Sequence, residues 1–429
     1  MKLQPEKNLA AVEPIAPRDE AAPSSPSAPT DSLDEFLAPL GARAFLEAHW
    51  DRQFVHLDRD GRGGYERLFS LGDVDRWLAA VRTGPRDSIL LTPGDGTGGS
   101  GPRQRPEDVP PATVYDSFAR GGSVVLNRLH DSWPPLAPLV AVLGRAFCAR
   151  VGVNAYLTAR GTRTFPLHLD DQDNFILQVE GEKTWHLYER VHQPVHRGCL
   201  TYDADLVFPP FWGPRPPETP RAAELCLRPG DLLYIPRGMP HNAVAEHATS
   251  LHLTVSVTPL HWLDFLKAAV EQAHLHAPQL RRALPLGFVA DGSRGADLRQ
   301  GFDDALQAFL DHLSFDDTLA VVLRNRVRLQ GLPPDGHLSH VDRSTDLRLD
   351  SQLCHRPGIF CMVEGDDRQA SIRFGPERLQ APARVRRALE FIRDRPRFTV
   401  AEIPGLDDDS KLLLARRLLQ GGLLRFAPG

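Results

Sequence analysis

A chain of 429 residues with 41% hydrophobic side chains can bury a sizeable core and is long enough for two or three domains. Its formal net charge of −5 gives no bulk attraction to nucleic acid or anionic lipid, and no apolar run approaches the roughly 20 residues of a membrane span. Five widely spaced cysteines without a CxxC pair argue against a disulfide framework or a zinc ribbon and fit a reducing compartment, so a soluble cytoplasmic protein is expected.

Residues 1–30 are rich in Pro, Ala and Ser with little to bury, which predicts a disordered tail; the stretch has no apolar centre and does not read as a secretory signal. In "DSLDEFLAPLGARAFLEAHW", Asp31 or Ser32 can cap a helix carrying Leu33, Phe36 and Leu37, and a second helix follows with Phe45, Leu46 and Trp50. Residues 70–82 predict a short amphipathic helix with Val74, Trp77 and Leu78 on one face, and residues 94–111 a loop.

From about residue 123 the texture changes. "SVVLNRL", "ARVGVNAYLTA", "NFILQVE", "KTWHLYE", "AELCLRPGDLLYIP" and "SLHLTVSVTP" are short β-branched or alternating runs between turn residues, which predict an antiparallel barrel or double-sheet jelly roll. One helix interrupts them at about 136–148, and Glu180-Gly181 reads as a tight hairpin turn. After residue 258 the period is helical again, with Leu298, Phe302, Ala305, Leu306, Phe309 and Leu313 on one stripe. Residues 345–429 read as a small mixed module. Its helices near 382–394 and 408–420 and its closing strand "LLRF" give a winged-helix pattern.

The chemistry concentrates in "FPLHLDDQDNFILQVEGEKTWHLY". At the start of a strand, His168 and Asp170 would point to one face, and His241 in "GDLLYIPRGMPHNAV" would be presented by a Gly-Pro turn at the barrel rim. Two neutral imidazoles and one carboxylate form the facial set suited to non-haem Fe(II), leaving three positions open, whereas zinc prefers tetrahedral closure. An HxD pair alone is a common chance event; joined to a distal PxGxxH in the same barrel it is far more specific. Lys183 shares a face with Trp185 and Leu187 just past the hairpin turn. A lysine pointing into a barrel is costly to desolvate unless it meets an anion, the alternative being a solvated lysine at the turn.

On "FLEAHWDRQFVHL", "GGSVVLNRLH", "VNAYLTARGTRTFPLHLDDQDNFILQVEGEKTWHLY", "LLYIPRGMPHNA" and "LHLTVS", the chain resembles the JmjC-type ribosomal oxygenases of the cupin superfamily. Those are Fe(II)- and 2-oxoglutarate-dependent protein hydroxylases. The resemblance implies a mainly β fold with α: a double-stranded β-helix (jelly-roll, cupin JmjC) barrel over 31–258, a helical dimerisation domain over 259–344 and a winged-helix-like domain over 345–429. It implies His168, Asp170 and His241 as catalytic iron ligands and Lys183 on the far carboxylate of 2-oxoglutarate. Asn154, Tyr156 and Ser256 would be further contacts of that cosubstrate. Asn154 could equally be a turn-capping amide, and Tyr156 an ordinary barrel aromatic. The implied reaction consumes O₂ and decarboxylates 2-oxoglutarate to succinate while hydroxylating an arginine or histidine side chain of a ribosomal protein. A homodimer is implied, with no membrane partner.

The segment between His168 and His241 is long for this family, the excess lying in 189–224, where Pro-rich aromatic loops could recognise a chain or be a plain insertion. His192 and His196 are spaced HxxxH around Pro194, which argues for a solvated loop; His274 and His276 read as residues of a helix surface, and His337 and His340 as loop residues. One alternative keeps the chemistry and changes the substrate to a peptide or amino acid of a natural-product pathway. Another is a non-catalytic DNA-binding regulator using the tail. From Ala381 onward there are ten Lys/Arg and six Asp/Glu, but the basic charges are dispersed and acids crowd a helix N-terminus, so nucleic acid is not expected.

Overall fold

The computed structural model describes residues 32–61, 64–80, 88–93, 108–190, 220–289, 295–329 and 336–428. The expected tail, the HxxxH pair and most of 189–224 lie outside these residues. The chain divides into two units, residues 1–259 and 260–429. Among the described residues no helix is long and apolar enough to cross a membrane.

In the first unit, helices α1 (Leu33–Phe36), α2 (Ala42–Ala48), α3 (Leu71–Ala80), α4 (Pro111–Ala119) and α5 (Ala137–Ala146) accompany ten strands. The strands are β1 (Val55–Leu57), β2 (Ile89–Thr92), β3 (Ser123–Leu126), β4 (Arg150–Thr158), β5 (Asp173–Glu180), β6 (Lys183–Tyr188), β7 (Arg221–Leu227), β8 (Leu232–Ile235), β9 (His241–Val244) and β10 (Ser250–Thr258). Seven strands form an antiparallel sheet in the order β1-β8-β5-β10-β4-β3-β2, and β7-β6-β9 form a second. This is the jelly-roll arrangement expected of the alternating runs. The strands β1 and β2 were not expected. They are three and four residues long and are recruited to the sheet edges by the register of β8 and β3 rather than by any pattern of their own. Ser32 is the α1 cap, accepting from Glu35 N at 3.1 Å, and Trp50 falls beyond the end of α2.

Alternation makes the large sheet two-faced. Phe175, Leu177 and Val179 of β5 and Leu253 and Val255 of β10 enter one apolar core with Phe36, Phe45 and Tyr234. Phe45 meets Tyr234 edge-on at 4.8 Å, and Trp50 stacks on Phe147 at 4.3 Å. On the opposite face Ile176, Leu233 and Ile235 pack with Trp185 and Leu187 of β6 and with Leu227. Each fully buried large side chain contributes about 1.5–3 kcal/mol. The tight hairpin expected at Glu180-Gly181 is not one: β5 and β6 do not pair, and the turn carries the chain from the large sheet to the small one. Gly181, at φ 64°, makes that crossing possible, since a Cβ there would lie 1.8 Å from the Thr249 carbonyl oxygen.

The second unit holds α6 (Trp262–Ala273), α7 (Gly295–Asp311), α8 (Phe315–Arg328), α9 (His337–Asp342), α10 (Arg386–Asp394) and α11 (Asp408–Gln420). Its strands are β11 (Gln352–His355), β12 (Cys361–Gly365), β13 (Gln369–Phe374), β14 (Glu377–Pro382), β15 (Arg397–Thr399) and β16 (Leu424–Phe426). They form two three-stranded sheets, β15-β11-β16 and β12-β13-β14. Leu353, Ile372, Leu389, Ile392, Leu418 and Leu424 are its core. Of the expected stripe, Phe302, Leu306 and Leu313 are exposed and Leu298, Ala305 and Phe309 half-buried; Trp262, Leu266 and Val270 of α6 are exposed too.

Candidate metal centre

Three side chains converge at one end of the space between the two sheets. The ligand atoms of His168, Asp170 and His241 lie within 4.8 Å of one another, with His241 Nε2 3.7 Å from Asp170 Oδ2. They are not presented as expected. His168 and Asp170 precede β5 in an irregular segment rather than opening the strand, and Asp170 keeps about a third of its side chain exposed. His241 is the first residue of β9, not a turn residue. What aligns the histidines is a single antiparallel bridge, His168 N donating to His241 O at 3.1 Å and His241 N to His168 O at 2.8 Å. The physical reason is the turn before β9: Gly238 N donates to Asp170 O at 2.8 Å, so the backbone ladder runs along the His168–Asp170 segment without becoming a regular strand.

Each ring is oriented by its second nitrogen. Nδ1 of His168 lies 2.8 Å from Pro166 O, and Nδ1 of His241 lies 2.9 Å from Met239 O. Donation to these carbonyls leaves both Nε2 lone pairs for the shared point, the usual outer bracing of a metal-binding imidazole. Burial, reinforced by the neighbouring His168, pushes the His241 imidazole down to about 4, so it is neutral near pH 7. Asp170 Oδ2 accepts from Asn174 Nδ2 at 2.6 Å, and Asn174 Oδ1 accepts from Ser256 Oγ–H at 2.7 Å. The turn is anchored behind by Arg237, whose guanidinium meets Asp51 at 2.7 Å and Asp173 at 3.7 Å; Arg190 also meets Asp51, at 3.2 Å. Two imidazoles and a carboxylate that share one point fit a divalent first-row metal of the non-haem iron type.

The other end of the cavity is basic. Lys183 is buried, its Nζ donating to Thr158 Oγ1 at 2.8 Å, and Thr158 lies 2.9 Å from Thr164 Oγ1. No carboxylate lies within ion-pair distance of it among the described residues, and burial pushes the ammonium down to about 7. The inward lysine is therefore the reading the structure supports over a solvated one. Tyr156 also lines this cavity, stacked on His252 at 4.9 Å with the rings 1° from parallel.

Asn154 and Ser256 do not line the cavity themselves. The Asn154 amide oxygen accepts from Arg128 N at 2.8 Å, capping a left-handed residue, and Ser256 reaches Asp170 only through Asn174. Sequence reasoning missed Asn174, Thr158, Thr164 and His252. A signal for the last was present: His252, Thr254 and Ser256 are polar at every second position of a strand whose other residues are apolar.

Residues 139–265 match the family model of the JmjC domain. Over 344 residues the chain is 30% identical to "Ribosomal oxygenase 1" of Rattus norvegicus, covering 76% of this chain and 51% of that protein. It is 32% identical over 289 residues to the protein of the same name in Gallus gallus, covering 64% and 45%. The chain thus spans about half the length of the curated relatives it matches. YcfD, described as a ribosomal oxygenase from Escherichia coli, shares the fold at a TM-score of 0.53 and 17% identity, over 90% of this chain and 98% of that one. The YcfD structure in complex with cobalt and 2-oxoglutarate gives 0.51 at 18% identity, with the same coverage.

Proposed function

We propose that this chain, which carries a JmjC domain and is similar to the ribosomal oxygenases, is an Fe(II)- and 2-oxoglutarate-dependent oxygenase that hydroxylates a protein side chain. The observation that carries this reading is the pairing of a two-histidine, one-carboxylate cluster with a buried lysine across one cavity. His168, Asp170 and His241 would hold the metal, and Lys183 would meet the far carboxylate of 2-oxoglutarate. Tyr156 lines the space between, and Asn154 and Ser256 act one step back, the latter by fixing Asn174 on Asp170. The bound metal and cosubstrate supply the oxidising chemistry, consuming O₂ and releasing succinate and CO₂. The protein's own task is to keep one side of the metal position open, exclude water from Lys183 and hold the His241 imidazole neutral.

The substrate is read as an arginine or histidine side chain of a ribosomal protein; histidine is supported by a relative named "Bifunctional lysine-specific demethylase and histidyl-hydroxylase NO66", and the ribosome by relatives named "Ribosomal oxygenase 1". Residues 259–344 are read as a homodimerisation segment, supported by the exposed Trp262, Leu266, Phe302 and Leu310, and 345–429 as a winged-helix-like domain, supported by its helices and its two three-stranded sheets. The test is an anaerobic titration of metal-free protein with Fe(II) and 2-oxoglutarate, watching for the visible charge-transfer band of the chelate. The band is expected in wild type, absent in His168→Ala, and shifted to much higher 2-oxoglutarate in Lys183→Ala. Folded wild-type protein without a band rejects the reading. Substrate is then sought as a gain of one oxygen mass on ribosomal proteins.

A further inference from the structure

His252 is a titratable cavity-wall group to which neither the metal cluster nor the lysine assigns a task. It sits mid-strand in β10, 2% exposed, in the sequence "LHLTVS". Its ring is clamped: parallel to Tyr156 on one side and edge-on to Trp185 at 5.5 Å on another. Nδ1 is enclosed without a hydrogen-bond partner, and the imidazole forms part of the same wall as Lys183. Burial and the nearby ammonium of Lys183 both disfavour the imidazolium, so His252 is neutral and carries a single N–H. With Nδ1 shut into the dry wall, the ring meets the cavity through its other edge, and the tautomer protonated at Nε2 presents a donor there.

We propose that His252 is a second donor to the far carboxylate of the dicarboxylic cosubstrate, its Nε2–H acting beside the Lys183 ammonium. The inference rests on the oxygenase reading above and deepens it: the basic end becomes a two-pronged carboxylate receptor of one charged and one neutral donor. A lysine alone is a point charge that holds an anion loosely in direction, whereas a fixed imidazole with Lys183 sets the carboxylate's orientation. The stack on Tyr156 is what fixes the ring.

The experiment uses the full chain with Zn(II) in place of iron, which is diamagnetic and does not turn over. Wild type, His252→Phe and His252→Asn are titrated calorimetrically with 2-oxoglutarate, and 2-oxopentanoate, in which a methyl group replaces the far carboxylate, is titrated in competition. His252→Phe keeps an aromatic ring for the stack and removes both nitrogens. The expected result is about a tenfold loss of 2-oxoglutarate affinity, about 1.4 kcal/mol, with 2-oxopentanoate changed less than about twofold. In wild type labelled with ¹⁵N at histidine, adding 2-oxoglutarate should bring out a hydrogen-bonded Nε2–H signal that His252→Phe lacks. Equal losses for both acids, or no loss and no such signal, overturn the proposal and leave His252 as a wall. Wild-type protein that binds zinc but not 2-oxoglutarate instead overturns the cosubstrate reading, and this inference with it.

Discussion

The two faces of β5 and β10 are equally dry and chemically opposite. Phe175, Leu177 and Val179, with Leu253 and Val255, fill one side to closure against the helices. One residue along, Asn174, Gln178, His252 and Thr254 are as well buried on the other side, yet carry amides, an imidazole and a hydroxyl. The apolar face has its partners within the chain. The polar face has some of them: Gln178 Nε2 donates to Ser250 Oγ at 2.9 Å, but Gln178 Oε1 and His252 Nδ1 have none among the described residues. One face is thus organised for stability and its reverse for a guest, and a period of two separates them. Burial alone does not distinguish core from site.

That contrast can be broken from either side. The largest effect is expected at the metal: His168→Ala or Asp170→Ala should abolish the Fe(II)–2-oxoglutarate charge-transfer band while leaving the melting temperature nearly unchanged. On the apolar face, Leu177→Ala should cost about 2–5 kcal/mol in denaturant unfolding with cosubstrate affinity of the folded protein intact. On the polar face the signs should invert. Lys183→Met should raise the melting temperature of the metal-free protein yet weaken 2-oxoglutarate by roughly 10–100-fold, since a charge-assisted hydrogen bond contributes about 1.5–3 kcal/mol. If Lys183→Met instead destabilises the fold, the lysine is structural and the contrast fails. Asn174→Ala, which removes the brace on Asp170 and the acceptor of Ser256, should weaken metal binding by about 10–100-fold, measured by competition with a chromophoric chelator.

The smallest effect is in pH. Burial lowers the Lys183 ammonium from its ordinary range near 10.4 to about 7. Between those values the unfolded chain holds more protons than the folded one, so this group makes stability rise with pH from about 7 to 10 and adds no slope below 7. Wild type minus Lys183→Met should isolate that slope. By the same account, binding 2-oxoglutarate near pH 8 should take up a fraction of a proton, read by calorimetry in buffers of different ionisation enthalpy.

The jelly roll was legible because short alternating runs between turn residues admit few other folds. The convergence of His168, Asp170 and His241 was also legible, from residue type and order. Their presentation was not, because a single backbone bridge and an irregular segment leave no periodic trace in sequence. Asn174 and His252 hid in strands that read as core, since alternation tells which residues share a face and not what that face meets. Helix α8 was missed because Phe315, Val321 and Val322 gave no long stripe; its Ser314 cap, accepting from Asp317 N at 3.2 Å, was the available cue. The stripe on α7 was read correctly as a stripe, but sequence could not say that Phe302, Leu306 and Leu313 would be left exposed.

The bridge between His168 and His241 has a last consequence. Two residues tied by a pair of backbone hydrogen bonds keep their spacing whatever stands between their rings, as a bracket keeps its width when the bulb is taken out. The ion is then a replaceable part rather than a keystone. On the proposed reading, stripping the metal should remove activity without unravelling the fold, and returning it should restore the original state.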